Sequence, residues 1–156
     1  MIEARTKNLI LQVKSKDRMF NKETEYALRG LVYIQRQNLT GYRPGIDEIA
    51  REIEAPRFYT AKILQRLVKM GFLISAKGRG GGFYFDPLKP DLTLKELIQA
   101  TEGSKILIQC GFGFSHCTSD NPCPLHEKYM PIRQALDQFL STETIQSLAM
   151  KTGTVQ

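Results

Sequence analysis

Residues 46–85 read IDEIAREIEAPRFYTAKILQRLVKMGFLISAKGRGGGFYF, and their patterning decides the fold. Ile46, Ile49, Ala50 and Ile53 recur at helical spacing and share one face. Asp47 and Glu48 fall in the first turn, where negative charge suits the helix dipole. Glu54-Ala55-Pro56 breaks this short helix. Proline is favoured at the first helical position, so a longer helix is expected from there to Met70, with Gly71 as its stop. Leu64, Leu67 and Val68 face inward on it, and Tyr59, Lys62, Arg66 and Lys69 form an outer stripe. Two helices joined by a tight turn, the second basic outside, make a helix-turn-helix. FLISA and FYF read as short strands, and KGRGGG joins them with four glycines expected to supply positive φ and close backbone approach. A basic hairpin directly after a helix-turn-helix is a wing. A phosphate-cradling turn is the other reading of such glycines, but that motif needs a helix immediately after it, and none follows.

Charge placement supports a nucleic-acid face. The chain has 156 residues and a net charge of +6, and Arg57, Lys62, Arg66, Lys69, Lys77 and Arg79 lie in a stretch with no acidic residue. Such a stripe suits DNA, although a solvated helix surface carries similar charge. Arg57, Tyr59 and Lys62 are expected in the major groove, and Lys77 and Arg79 on the backbone or in the minor groove. For Phe58 a core position is the alternative reading to a DNA-facing one, and Tyr59 reads equally well as core or contact.

Outward from this unit, KETEYALRGLVYIQRQ places Tyr26, Ala27, Gly30, Leu31 and Ile34 on one helical stripe, and NLTGYRPG ends it. Leu94–Thr101 is expected as a further helix, with Thr93 as N-cap and Gly103 near its end. In PLHEKYMPIRQALDQFLST, Leu125, Tyr129, Ile132, Leu136 and Phe139 follow alternating four- and three-residue steps. That is a heptad-like seam, suited to a partner helix or to an internal core face; Pro131 should bend or soften it. The length of this helix at the edge of a small domain favours dimerisation. The expected fold is mostly α with a small β-hairpin wing: a winged helix-turn-helix plus a long C-terminal dimerisation helix. The divisions are a mobile leader or alternative start over residues 1–18, the winged domain over 19–104, a cysteine loop over 105–126, and the dimerisation helix and tail over 127–156. Leu9-Ile10-Leu11 is too short for a signal peptide or membrane span, so a cytoplasmic protein is expected.

All three cysteines and both histidines lie between positions 110 and 126, in CGFGFSHCTSDNPCPLH. Odd, clustered cysteines in a reducing compartment suit a metal or a redox sensor better than a disulfide framework. Three soft thiolates suit iron–sulfur chemistry or zinc. The gaps exceed the two to four residues usual between paired zinc ligands. A small redox enzyme or cluster carrier fits poorly, because the chain has no Cys-x-x-Cys dithiol, no dinucleotide motif and no base beside a nucleophile.

MFNKETEYALRGLVYI, the 46–85 stretch and C-x6-C-x5-C-P-L-H, taken in this order, resemble the winged helix-turn-helix regulators (Rrf-type) that include IscR, NsrR and CymR. The resemblance covers roughly positions 19–150. It implies a homodimeric, non-enzymatic transcriptional regulator, acting as a repressor, on a partly palindromic double-stranded DNA operator. The IscR and NsrR branches hold an iron–sulfur cluster on three cysteines, which Cys110, Cys117 and Cys123 match; the CymR branch lacks the triplet. The resemblance therefore points to the cluster-binding branch, sensing iron–sulfur status, redox state or nitric oxide through a 2Fe–2S or 4Fe–4S cluster. The first cysteine gap is one residue longer than the IscR pattern. His126, in the Cys-x-x-His arrangement of IscR, is the expected fourth ligand. Glu25, at the acidic position before YALR that serves NsrR-like proteins across subunits, is the rival. His116 has no match. Zinc, or a thiol switch without metal, is the alternative chemistry, and membrane attachment is not expected.

Overall fold

A computed structural model describes residues 19–151; the leader expected over residues 1–18 lies outside the described residues. Asn21 opens the first helix among the described residues, α1 (Lys22–Leu39), by accepting the Thr24 N–H on its side chain at 2.8 Å. A cap of this kind contributes about 1 kcal/mol. Ala27, Gly30, Leu31, Val32 and Ile34 turn inward, with Tyr26 half-buried beside them. Then come α2 (Ile46–Glu52) and α3 (Arg57–Lys69). Pro56 caps α3 with extended backbone instead of standing at its first helical position. Gly71, at φ +78°, ends the helix in the left-handed conformation that glycine adopts without a Cβ clash.

Strands β1 (Ile74–Ala76) and β2 (Gly82–Tyr84) pair antiparallel, Ile74 opposite Tyr84 and Ala76 opposite Gly82. Three of the turn glycines, Gly78, Gly80 and Gly82, have positive φ, but Gly81 does not. The close approach expected of these glycines is made to the chain itself. A Cβ on Gly82 would stand 2.3 Å from the Arg43 carbonyl oxygen, and one on Gly81 would stand 2.3 Å from that of Ala76. The Phe83 N–H donates to the Pro44 oxygen at 3.0 Å, while Asn38 donates to Phe83 and accepts from the Phe85 N–H. The wing root is thus pinned to the α1–α2 loop.

Thr93 and Glu96 form a reciprocal capping box at the start of α4 (Leu94–Thr101), and Gly103 at φ +79° follows its end. The stretch read as a cysteine loop begins with a short helix, α5 (Lys105–Ile108). The long helix α6 runs His126–Thr142 with Pro131 inside it. The residues after it are not a plain tail, because α7 (Ile145–Met150) folds back across α1. Arg36 on α1 donates to the Ala149 and Lys151 oxygens, satisfying orphan carbonyls at the end of α7. Leu31, Ile34, Ile49, Leu64, Leu67, Leu97, Leu140 and Ile145 are fully buried in one core, each contributing on the order of 2 kcal/mol from burial. Leu140 and Ile145 bring both C-terminal helices into it. The architecture is a mostly helical winged helix-turn-helix, and among the described residues no helix is long and apolar enough to cross a membrane.

Candidate metal centre and nucleic-acid interface

The cysteine segment hangs between the end of α5 and the start of α6. Gly113, at φ +74°, donates its N–H to the Cys110 oxygen and turns the chain back. Thr118 and Asn121 close a second turn by exchanging backbone hydrogen bonds at 3.2 Å. The His126 N–H donates to the Cys123 oxygen at 3.0 Å where α6 begins. A Cβ on Gly111 would stand 2.8 Å from the Tyr129 ring, so glycine lets the loop lie flat on α6. Arg133 on α6 donates to the Ile108 oxygen and holds the two ends of the loop together.

These turns gather the three sulfurs within 4.8 Å of one another, each half-buried. Cys110 and Cys123 are 3.8 Å apart, and the His126 Nδ1 is 3.2 Å from the Cys117 sulfur. Two thiolates on one tetrahedral metal ion, each about 2.3 Å from it, stand about 3.8 Å apart. The donors therefore fit zinc or one iron of a cluster equally, and a soft sulfur set with an imidazole beside it suits both metals. His126 reaches the sulfur group only through Cys117, and Glu25, in the first turn of α1, is outside it. His116 is exposed; its carbonyl accepts from Asn121.

The thiols are not equivalent. The backbone N–H of Phe112, joined by that of Phe114, holds the Cys110 thiol below its ordinary range. At Cys117, the Cys123 N–H pulls the thiol down, but partial burial and the two neighbouring thiols outweigh it and push the group up. Cys110 is thus a readier thiolate than Cys117.

Apart from the cysteine segment, α3 and the wing present the basic residues. Lys62, Lys77 and Arg79 are exposed and make no ion pair among the described residues. Arg57 is paired with Asp47 of α2. Tyr59 is half-buried, edge-on to Tyr26 with ring centroids 5.8 Å apart. Arg66, on the same stripe, points back into the protein, to Glu23 and, at 2.7 Å, to the Ala100 oxygen at the end of α4. The core reading of Phe58 fails: the ring is 82% exposed at the start of α3. Apolar character kept a core position open for it, whereas the helical phase that buries Thr60, Ile63, Leu64 and Leu67 turns it outward. Along α6, Leu125, Ile132 and Phe139 are exposed, and Leu136 packs partly against the core.

The chain resembles known proteins. The family model described as an iron-dependent transcriptional regulator, Rrf2, matches residues 20–151. The chain is similar to the helix-turn-helix transcriptional regulator NsrR of Bacillus licheniformis, with 26% identity over 128 residues, 81% of this chain and 89% of that one. It is 30% identical to the repressor NsrR of Streptomyces coelicolor over 109 residues, 67% of this chain and 66% of that one. The solved structure of CymR, the global cysteine regulator of Bacillus subtilis, superposes with a TM-score of 0.68 at 20% identity, covering 87% of this chain and 99% of that one, which bears on the fold alone. With the family model spanning nearly the whole described chain, from before α1 to beyond α7, the protein belongs to the Rrf2 family of transcriptional regulators.

Proposed function

We propose that the chain is a homodimeric, sequence-specific DNA-binding repressor whose operator affinity depends on an iron–sulfur cluster held by Cys110, Cys117 and Cys123, with His126 as fourth ligand. The observation that carries this reading is the gathering of three sulfurs within 4.8 Å on a loop strung between α5 and the long α6. When bound, the cluster supplies a redox- and nitric-oxide-sensitive centre. The chain's own residues hold it, orient it and carry its presence to the DNA face. Exposed Leu125, Ile132 and Phe139 supply a seam for the second copy, and Lys62, Lys77 and Arg79, with no ion pair among the described residues, supply cations for phosphates.

The route from loop to recognition helix is short. Cys110 follows α5, which follows α4, and the end of α4 is fastened to both α1 and α3. The Ala100 oxygen accepts from Arg66, Thr101 shares a 2.6 Å hydrogen bond with Thr24, and Glu102 accepts the Asn21 N–H at 2.8 Å. A shift at the head of the cysteine loop therefore moves the end of α4 against α3, and in a dimer it alters the spacing of two recognition helices. The 3.8 Å sulfur spacing also favours a second reading, zinc on the same thiolates. Anaerobic purification with absorption spectroscopy and iron, sulfide and zinc assays separates the two. Iron and sulfide in equal amounts support the cluster; zinc without sulfide replaces it with the second reading.

A further inference from the structure

Arg57 opens α3, and its guanidinium is divided between two tasks. Its Nε donates to the Asp47 carboxylate, carried on the first turn of α2. Among the described residues neither of its Nη groups makes a bond. Glu48, the next carboxylate, is occupied by the hydroxyls of Tyr33 at 2.6 Å and Tyr42 at 2.8 Å, which leaves Asp47 to serve the start of α3. Both members of the Asp47–Arg57 pair are exposed, at 75% and 65% of the side chain, so neither supports the core. An exposed pair of this kind does little for folding. Its geometry does more for recognition. Arginine reads guanine by two parallel hydrogen bonds to O6 and N7, and with Nε committed the two Nη groups form the remaining edge that can make them.

We propose that Asp47 is a positioning residue for base readout, holding Arg57 through Nε so that its Nη edge meets a guanine in the major groove. This rests on the DNA-binding reading above and adds the base that this position recognises. An unrestrained arginine loses much rotamer freedom when it docks; one already held by a carboxylate loses less, and only in the pose that fits guanine. The same carboxylate repels phosphate. Asp47 thus weakens binding to all DNA somewhat while sharpening the choice of one base.

The test uses the full chain, purified anaerobically, and a library of duplexes with randomised centres. The wild-type protein should enrich sites carrying a guanine at one position of each half-site. Arg57→Lys keeps the charge but lacks the fork, and should lose that preference with the salt dependence unchanged. Asp47→Ala and Asp47→Asn remove the same charge, but only asparagine keeps an acceptor for Nε. Alanine should cut discrimination at that position by about tenfold, and asparagine should recover part of it. If alanine keeps the preference, or if both variants raise affinity equally for every sequence, Asp47 is only a nearby anion and the proposal fails. Enriched sites in which Arg57→Lys changes no base preference overturn the guanine contact while leaving DNA binding intact. Absence of any enrichment by the wild-type chain overturns both.

Discussion

Leu140 and Ile132 lie two turns apart on α6, and opposite outcomes are expected on changing them. Leu140 is fully buried, whereas Ile132 is 63% exposed. Leu140→Ala removes buried carbons where the end of α6 docks on the core, and truncations of this kind cost about 2–5 kcal/mol. Ile132→Glu touches no core within one protomer, so its cost to the protomer's own fold stays near 0.5 kcal/mol. In a dimer built on the seam, the same change buries an unpaired charge at about 3–5 kcal/mol, a weakening of roughly a hundredfold or more. Sedimentation velocity should show Ile132→Glu as a monomer with an unchanged helical spectrum. Urea unfolding of Leu140→Ala in that monomeric background then reports the protomer alone, free of the concentration dependence that dimerisation imposes. A loss below about 1 kcal/mol there would refute the docking role of Leu140. A dimer of normal stability in Ile132→Glu would refute the seam. Leu136 suits this test less well, because it already packs against the core and a charge there would damage fold and interface together.

Replacing both Lys77 and Arg79 by alanine should weaken binding to every duplex and lower the slope of log affinity against log salt by about one for each phosphate no longer neutralised; an unchanged slope takes the wing out of the interface. Serine at Cys110, Cys117 or Cys123 should abolish cluster absorption while the far-ultraviolet spectrum persists, since none of the three cysteines belongs to the hydrophobic core. His126→Ala should leave a labile cluster with a shifted spectrum and potential; an unaltered spectrum together with loss in Glu25→Ala would move the fourth ligand to α1. Gly82→Ala sets a Cβ against the Arg43 oxygen at a φ of +133°, and a fall of about 2 kcal/mol or more in unfolding free energy is expected, with no change at all refuting the pinned wing root.

Much of the fold was legible because burial in a small domain is written as period. Ile49, Ala50 and Ile53, then Leu64 and Leu67, are inward residues that helical spacing picks out, and Gly71 and Gly103 sit at the positive φ that a helix end requires. Proline and capping residues placed helix starts to within a residue. What period does not carry is which element meets which. The return of α7 onto α1 depends on Arg36 reaching carbonyls more than a hundred positions away, and no local pattern announces that. Ile145 and Ala149 are spaced for one helical face and could have signalled a short helix after Thr142. At Phe58 residue type kept a core reading open, and the helical phase turns the ring outward.

In the site, sequence clustering and spatial clustering coincide because a loop between two fixed helix ends cannot carry its cysteines far apart. The three thiols could therefore be named from spacing and resemblance together, whereas the supports that bring them close are ordinary residues with no motif: Gly111 against Tyr129, Gly113 in its turn, Arg133 on the Ile108 oxygen. The DNA face divides for a related reason. Six cations in an acid-free stretch look alike in sequence, but only the folded chain brings carboxylates from α1 and α2 against two of them. Glu23 and the Ala100 oxygen draw Arg66 inward as a strut between α3 and the end of α4, and Asp47 takes one nitrogen of Arg57. A charge stripe thereby becomes three kinds of residue: cations with no ion pair among the described residues, one arginine held through its Nε, and one strut tying α3 to the end of α4.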